Sequence, residues 1–212
     1  EDAVGAALAA TKVARADIHL TTKVWWENLA PEAMRRAMDN SLTQLRTPYV
    51  DLYLIHWPAA GMDLAASLGQ LVKFQEQGLA RHIGVSNFPS ALLKQAIEDI
   101  RAPIVCNQVE YHVLREQNAV KAVLDRHGLG LTAYCPLAQG RLAEHPALDA
   151  IARKHAASPA QVALKWLLDQ PNVAAIPKAG RASSQQSNLD ALKLVLDDAD
   201  RAAIAALPKT ER

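Results

Sequence analysis

The chain has 212 residues, half of them hydrophobic and 21% charged, which is ordinary globular composition and enough for one large domain or two small ones. Its 23 basic and 22 acidic residues leave a formal charge of +1, too weak a field for a dedicated nucleic-acid binder, and no apolar run approaches the roughly 18 residues of a membrane span. The two cysteines, Cys106 and Cys135, lie in apolar segments; they exclude a disulfide scaffold and point to a reducing cytoplasm.

Residues 1–10 (EDAVGAALAA) read as the middle of a helix, with neither a starting Met nor a signal peptide, so the chain reads as cut rather than started. From there short apolar strands alternate with amphipathic helices. Strands are expected at 18–24, 51–57, 82–87, 104–110, 130–136 and 173–178, each bounded by Pro, Gly or Asn. Helices are expected at 31–45, 63–77, 89–99, 116–127, 146–169 (broken near Pro159), 183–194 and 197–207. Pro31 and Pro89 suit a first helical turn, and Ser158-Pro159-Ala160-Gln161 has the pattern of a capping box. Strand-to-strand steps near 30 residues suit βαβ units with right-handed crossovers.

Two architectures fit this alternation, a doubly wound open sheet and a (β/α)8 TIM barrel. The first predicts a Gly-rich turn after an early strand, yet no Gly-x-Gly-x-x-Gly or Walker loop occurs. The barrel is favoured, as a single domain over 1–212. Six strands are six of its eight βα units, and the helix-like start places the missing N-terminal strands upstream of Glu1.

Strand alternation puts Lys23 on the inward face of its strand, and His56 on the face shared by Leu52 and Leu54. Lys23, His56, Ser86 with Asn87, Gln108, Tyr134 and Lys178 each fall at or near the C-terminal end of a different strand, where barrel enzymes carry their sites. Each also suits a plainer role: a snorkelling lysine, a core histidine bonded to a carbonyl, amides that satisfy buried backbone, a packing tyrosine, a solvated cation. Six in register would line one mouth. No His spacing suits a metal, and nothing near Cys135 marks a nucleophile. Amides and Ser suit a carboxamide, Tyr134 a flat heterocycle, and Lys178 with Arg181 a phosphate. The residues alone thus give a barrel that binds a nucleotide-like ligand, without giving the reaction.

At these residues the sequence resembles the aldo-keto reductase superfamily, most closely its bacterial branch that includes 2,5-diketo-D-gluconic acid reductases. The resemblance is carried in family order by TTKVWWENL (21–29), LRTPYVDLYLIHWP (45–58), GLARHIGVSNF (78–88), NQVEYH (107–112), TAYCPLAQG (132–140), SPAQVALKWLL (158–168) and IPKAGRASSQQSNL (176–189). It implies catalytic roles for Lys23 and His56. It implies that Ser86, Asn87 and Gln108 hold a nicotinamide carboxamide, with Tyr134 stacked on the ring. Leu137 and Gly140 would pass the pyrophosphate; Lys178, Arg181, Ser184 and Asn188 would surround the 2′-phosphate and adenine. Trp25 and Trp57, with His56, would wall the substrate pocket.

The cofactor so implied is NADP(H), and the activity is reduction of a small aldehyde or ketone by hydride transfer. Ala179 stands where many relatives have Ser, and Ser184 where an arginine is common. The family's catalytic Asp and Tyr would precede Glu1, because EDAVGAAL resembles the helix that follows them, and relatives continue past Arg212 into a tail. The expected partner is a small-molecule carbonyl substrate, with no nucleic acid, no membrane and a monomeric, cytoplasmic protein. The alternative is a non-catalytic nucleotide-binding module of the same fold, in regulation or interaction. Retention of Lys23 and His56 favours the enzyme.

Overall fold

In the computed structural model, residues 1–209 are described, apart from the side chains of residues 143 and 144; the expected domain end at Arg212 lies outside the described residues. Six strands occur among them: β1 (Thr21–Val24), β2 (Val50–Ile55), β3 (Ala80–Ser86), β4 (Ile104–Glu110), β5 (Gly130–Tyr134) and β6 (Val173–Ala175), hydrogen-bonded in chain order. Nine helices alternate with them: α1 (Asp2–Ala10), α2 (Pro31–Leu45), α3 (Leu64–Glu76), α4 (Ser90–Lys94), α5 (Asn118–Arg126), α6 (Pro146–Lys154), α7 (Pro159–Leu168), α8 (Ala182–Asp190) and α9 (Asp198–Ala205). The order is that of βα units of a (β/α)8 barrel, and the expected count of six strands holds.

Contacts cluster into two units, Glu1–Asn107 and Gln108–Arg212, whose boundary falls inside β4 rather than in a linker. In the first unit β1, β2 and β3 pair in parallel, with Lys23 opposite Leu54 and Leu54 opposite Gly84. Alternation along β2 sorts its side chains as expected. Leu52 and Leu54 gather with Cys106 in one apolar cluster, whereas Tyr53 turns to Phe74 of α3, ring centroids 5.7 Å apart in a T-shaped contact. In the second unit β5 and β6 pair in parallel, and α6, α7 and α9 enclose a core that includes Leu148, Ile151, Val162, Ala163, Leu196 and Ile204.

The helix signals act where the sequence places them. Pro31 is the first residue of α2. Ser158 caps α7: its Oγ accepts from Gln161 N–H at 3.3 Å, and Gln161 Oε1 accepts from Ser158 N–H at 2.9 Å. Asp197 and Asp200 form a second reciprocal cap on α9.

Several expected boundaries shift, for identifiable reasons. The strand expected at 18–24 pairs only from Thr21. Ile18 and Leu20 are held by side chains instead: Arg15 Nη1 donates to Ile18 O at 2.7 Å, and Leu20 N–H donates to Asp51 Oδ2 at 3.0 Å. The strand expected at 51–57 is 50–55, although His56 N–H still donates to Val24 O at 2.9 Å. That at 82–87 is 80–86, because Asn87 is left-handed (φ 61°) and turns the chain out of the ladder. That at 130–136 stops at Tyr134 for the same reason, with Cys135 at φ 48°. That at 173–178 shortens to three residues. The helix expected at 89–99 is a short α4 followed by a π turn at Gln95–Asp99, and that at 183–194 is α8 followed by a 3-10 turn at Ala191–Lys193.

Candidate active site

In the first unit the C-terminal ends of three adjacent strands carry the expected polar residues. Lys23 is the third residue of β1 and half-buried. Burial lowers its pKa, since a shielded ammonium loses hydration. His56 follows β2 directly, and its pKa is lowered first by burial and then by the Lys23 charge. Burial thus disfavours the charged form of both groups, and the charge on Lys23 adds to the effect on His56, a coupling of the kind found at functional sites.

The loop after β3 reaches the same place. Asn87 Nδ2 donates to the His56 carbonyl at 3.0 Å and to Ser86 Oγ at 3.1 Å. The left-handed backbone at Asn87 makes this reach possible, and Asn is one of the few side chains that tolerates it. Asn107, fully buried in β4, clamps the next residue: its Nδ2 donates to Phe88 O at 2.9 Å and its Oδ1 accepts from Phe88 N–H at 3.4 Å. Sequence reasoning passed over Asn107. The available signal was an amide inside an apolar strand, next to the Gln108 that was selected.

Trp25 meets His56 edge-on, ring centroids 4.9 Å apart at 76°. Trp25, Trp26, Trp57 and Pro58 line a cavity of about 380 Å³. The unit thus brings Lys23, His56, Ser86, Asn87, Trp25 and Trp57 to one end of β1–β3. Trp26 was not singled out from the sequence.

The second unit holds a larger cavity, about 610 Å³, at the N-terminus of α8. Leu137, Lys178, Arg181, Ser184 and Asn188 line it, five of the residues expected around a nucleotide, together with Ser183 and Ser187, which were not foreseen. Arg181 is the N-cap residue of the nine-residue α8 and makes no side-chain cap bond. Neither Lys178 nor Arg181 forms an ion pair among the described residues. Two uncompensated cations, several hydroxyls and the positive end of a helix form a donor set for phosphate. By this measure the residues present fit the phosphates of a dinucleotide.

Tyr134 ends β5, half-buried; Gln108 is buried in β4; Gly140 sits at φ 92°, its N–H donating to Leu137 O at 3.1 Å. The described lining of the large cavity includes none of these three. Among the described residues no three His, Cys, Asp or Glu side chains gather as metal ligands.

The other tyrosines are committed elsewhere. Tyr53 is buried against Phe74, Tyr111 OH donates to Gln170 Oε1 at 2.8 Å, and the Tyr49 ring lies between the guanidinium groups of Arg15 and Arg81, 4.2 and 4.3 Å from its centroid.

A parallel α/β chain with polar groups at its strand ends and a cation- and hydroxyl-lined cavity at a late helix is the arrangement of a (β/α)8-barrel enzyme. Residues 1–209 match the aldo/keto reductase family, and the chain belongs to that family of oxidoreductases. It is 38% identical over 215 residues to methylglyoxal reductase DkgB of Escherichia coli O157:H7, covering all of this chain and 80% of that protein. It is 38% identical over 213 residues to glyoxal reductase of Bacillus subtilis strain 168, covering all of this chain and 76% of that one. Among solved structures, an aldo-keto reductase from Klebsiella pneumoniae in complex with NADPH superposes with a TM-score of 0.87 at 31% identity, covering the whole of this chain and 76% of that chain. No helix among the described residues is long and apolar enough to cross a membrane.

Proposed function

We propose that the protein reduces a small aldehyde or ketone to the alcohol, with NADPH as the hydride source. The observation that carries the choice of cofactor is the α8 cavity, where Lys178 and Arg181 stand without anionic partners among the described residues beside Ser184 and Asn188. A 2′-phosphate gives these cations the counter-charge that the fold withholds, which favours NADPH over NADH. Leu137 and Gly140 border the pyrophosphate, and Ser86, Asn87, Gln108 and Tyr134 hold and stack the nicotinamide. A relative in the same fold has been solved with NADPH, which supports the reading.

When bound, NADPH would supply the hydride to the carbonyl carbon, and the alkoxide so formed would take its proton from water to give the alcohol. His56 orients the carbonyl oxygen of the substrate: kept neutral by burial and by Lys23, its imidazole offers a hydrogen bond without a full charge. Lys23 places a positive field where negative charge develops on that oxygen. Trp25 and Trp57 present an apolar wall beside the reacting face. One barrel domain, monomeric and cytoplasmic, completes the proposal.

The test is a fluorescence titration of the protein with NADPH and with NADH, followed by NADPH oxidation with propanal. Tighter NADPH binding that weakens about tenfold in Arg181→Ala is expected, from loss of one charge-assisted contact. Equal dissociation constants for the two cofactors would overturn the assignment of the α8 cavity. NADPH binding without turnover of any aldehyde would favour the non-catalytic nucleotide-binding reading.

A further inference from the structure

Trp26 has no packing reason to be where it is. Indoles carry a large apolar surface and are buried in most folds. Trp26 is 43% exposed and its neighbour Trp25 44%, the only two exposed aromatic rings among the large exposed hydrophobic residues described. Consecutive residues in an extended strand point to opposite faces. Here the strand ends at Val24, Trp25 is extended (φ −73°, ψ 148°), and a 3-10 turn begins at Trp26. The turn folds the second ring back beside the first, so that their centroids lie 6.4 Å apart at 49°. Both then line the 380 Å³ cavity with Trp57 and Pro58.

The lining is three indoles and a proline, with no charged or hydroxyl side chain. A small dicarbonyl that is hydrated in water finds at most indole N–H donors there in place of its lost hydrogen bonds, whereas a planar ring finds π faces and edges on three sides. His56 is not part of the lining but lies edge-on to Trp25, which is, so the imidazole stands next to the cavity.

We propose that Trp26 is a specificity-determining residue that, with Trp25 and Trp57, selects aldehydes conjugated to a planar aromatic ring over short aliphatic and dicarbonyl ones. The assignment rests on the carbonyl-reduction reading for the identity of the ligand's reactive group, and on the indole cavity for the rest.

The experiment measures binding without turnover. Benzaldehyde and propanal are titrated by calorimetry into the 212-residue protein and into Trp26→Ala and Trp26→Phe, with indole fluorescence recorded in parallel and far-UV circular dichroism confirming the fold of each variant. Benzaldehyde is expected to bind at least tenfold tighter than propanal, to lose about tenfold in Trp26→Ala, and to stay within about threefold in Trp26→Phe. Propanal is expected to change less than twofold in both. Equal losses for the two aldehydes, or unchanged benzaldehyde binding in a folded Trp26→Ala, would overturn the assignment. Ring-selective binding with no oxidation of NADPH by either aldehyde would leave the Trp26 assignment standing and overturn the reductase reading instead.

Discussion

Lys23 at the end of β1 depresses the charged form of His56 just past β2: burial lowers the histidine's pKa first and the lysine's charge adds to it, whereas Lys23 itself is lowered by burial. Burial is the larger cause, so replacing Lys23 with Met should return only part of the shift. The His56 titration followed by NMR should move up in Lys23→Met, and no movement would mean that Lys23 does not bear on His56. The sign for stability follows. A histidine whose folded pKa lies below its unfolded value of about 6.5 leaves the unfolded state holding more protons as pH falls, so stability declines on acidification through that window. His56→Asn removes this contribution, and the urea midpoint of the variant should vary less between pH 7 and pH 5 than that of the parent.

A second buried charge holds the opposite ends of the same strands. Asp51 is buried; its Oδ2 accepts from Arg15 Nη1 at 2.8 Å and from Leu20 N–H at 3.0 Å, and its Oδ1 accepts from Arg81 Nη1 at 3.0 Å. Burial would raise its pKa, but Leu20 N–H and the two guanidinium groups together hold it below the usual carboxylate value. The stabilisation is present above the unfolded pKa of about 3.9 and is lost as pH falls below it. Removing one partner of a buried pair costs about 3–5 kcal/mol, and the exposure of Arg81 reduces this. Asp51→Ala should therefore lose about 2–3 kcal/mol in urea unfolding at pH 7. A loss under 1 kcal/mol would show that the clamp is ornamental.

This clamp explains one limit of the sequence reading. Ile18 and Leu20 have strand-like alternation, but Arg15 takes the Ile18 carbonyl and Asp51, 31 residues away, takes the Leu20 N–H. Periodicity reports local preference and is blind to such competition. The strand ends at Asn87 and Cys135 were missed by a residue or two for a related reason, because a positive φ at a non-glycine residue has no composition signal. Lys23, His56 and Asn87 stand out in the sequence because a polar group in or beside an apolar strand is costly without a partner, whereas Lys178 is exposed beyond its strand and no such cost marks it. Trp26 does not stand out, because strand alternation would send its ring to the face opposite Trp25, and only the 3-10 turn that begins at Trp26 brings the two rings together. Asn107 was hidden beside Gln108, since one amide in a strand accounts for the pattern as well as two.

Two glycines set how closely elements approach. A Cβ on Gly5 of α1 would lie 2.0 Å from the Gln44 carbonyl oxygen of α2, a backbone atom that cannot swing aside. A Cβ on Gly84 of β3 would lie 2.8 Å from Leu54 Cδ2 and 2.9 Å from Cys106 O. Overpacking of this kind costs about 1–3 kcal/mol where neighbours can shift, and more where they cannot. Gly5→Ala should lower the thermal midpoint by separating α1 from α2. Gly84→Ala should do so while also disturbing His56 and Asn87, which depend on the register of β2 with β3. NMR of the His56 ring distinguishes them: its resonance should move in Gly84→Ala and stay within line width in Gly5→Ala.

Asp200 joins α9 to the end of α6 through three donors: Lys154 Nζ at 2.9 Å, His155 Nε2 at 2.7 Å and Asp197 N–H at 3.1 Å. Its own N–H donates to Asp197 Oδ1 at 2.9 Å, which closes the reciprocal cap. The carboxylate is buried, which alone would raise its pKa; Lys154, His155 and the Asp197 N–H outweigh that and hold it far below the usual carboxylate value. The contribution is therefore present at neutral pH and declines as pH falls below about 4, where the unfolded carboxylate takes up its proton. Asp200→Asn keeps an acceptor for the Asp197 N–H but loses the charge, and Asp200→Ala loses both, while the Asp197 cap on the residue 200 N–H remains in each. Loss of the bond from the Asp197 N–H costs about 1 kcal/mol, and loss of the charge-assisted bonds from half-exposed Lys154 and from His155 adds about 1–3 kcal/mol. At pH 7 Asp200→Ala should thus lose about 2–4 kcal/mol and Asp200→Asn less, whereas below pH 3.5 Asp200→Asn should approach the parent. Urea unfolding at the two pH values, with amide exchange of α9 as a local report, checks both. A difference between Asp200→Asn and the parent that stays constant across that range would mean the carboxylate's charge contributes nothing and the cap alone holds α9.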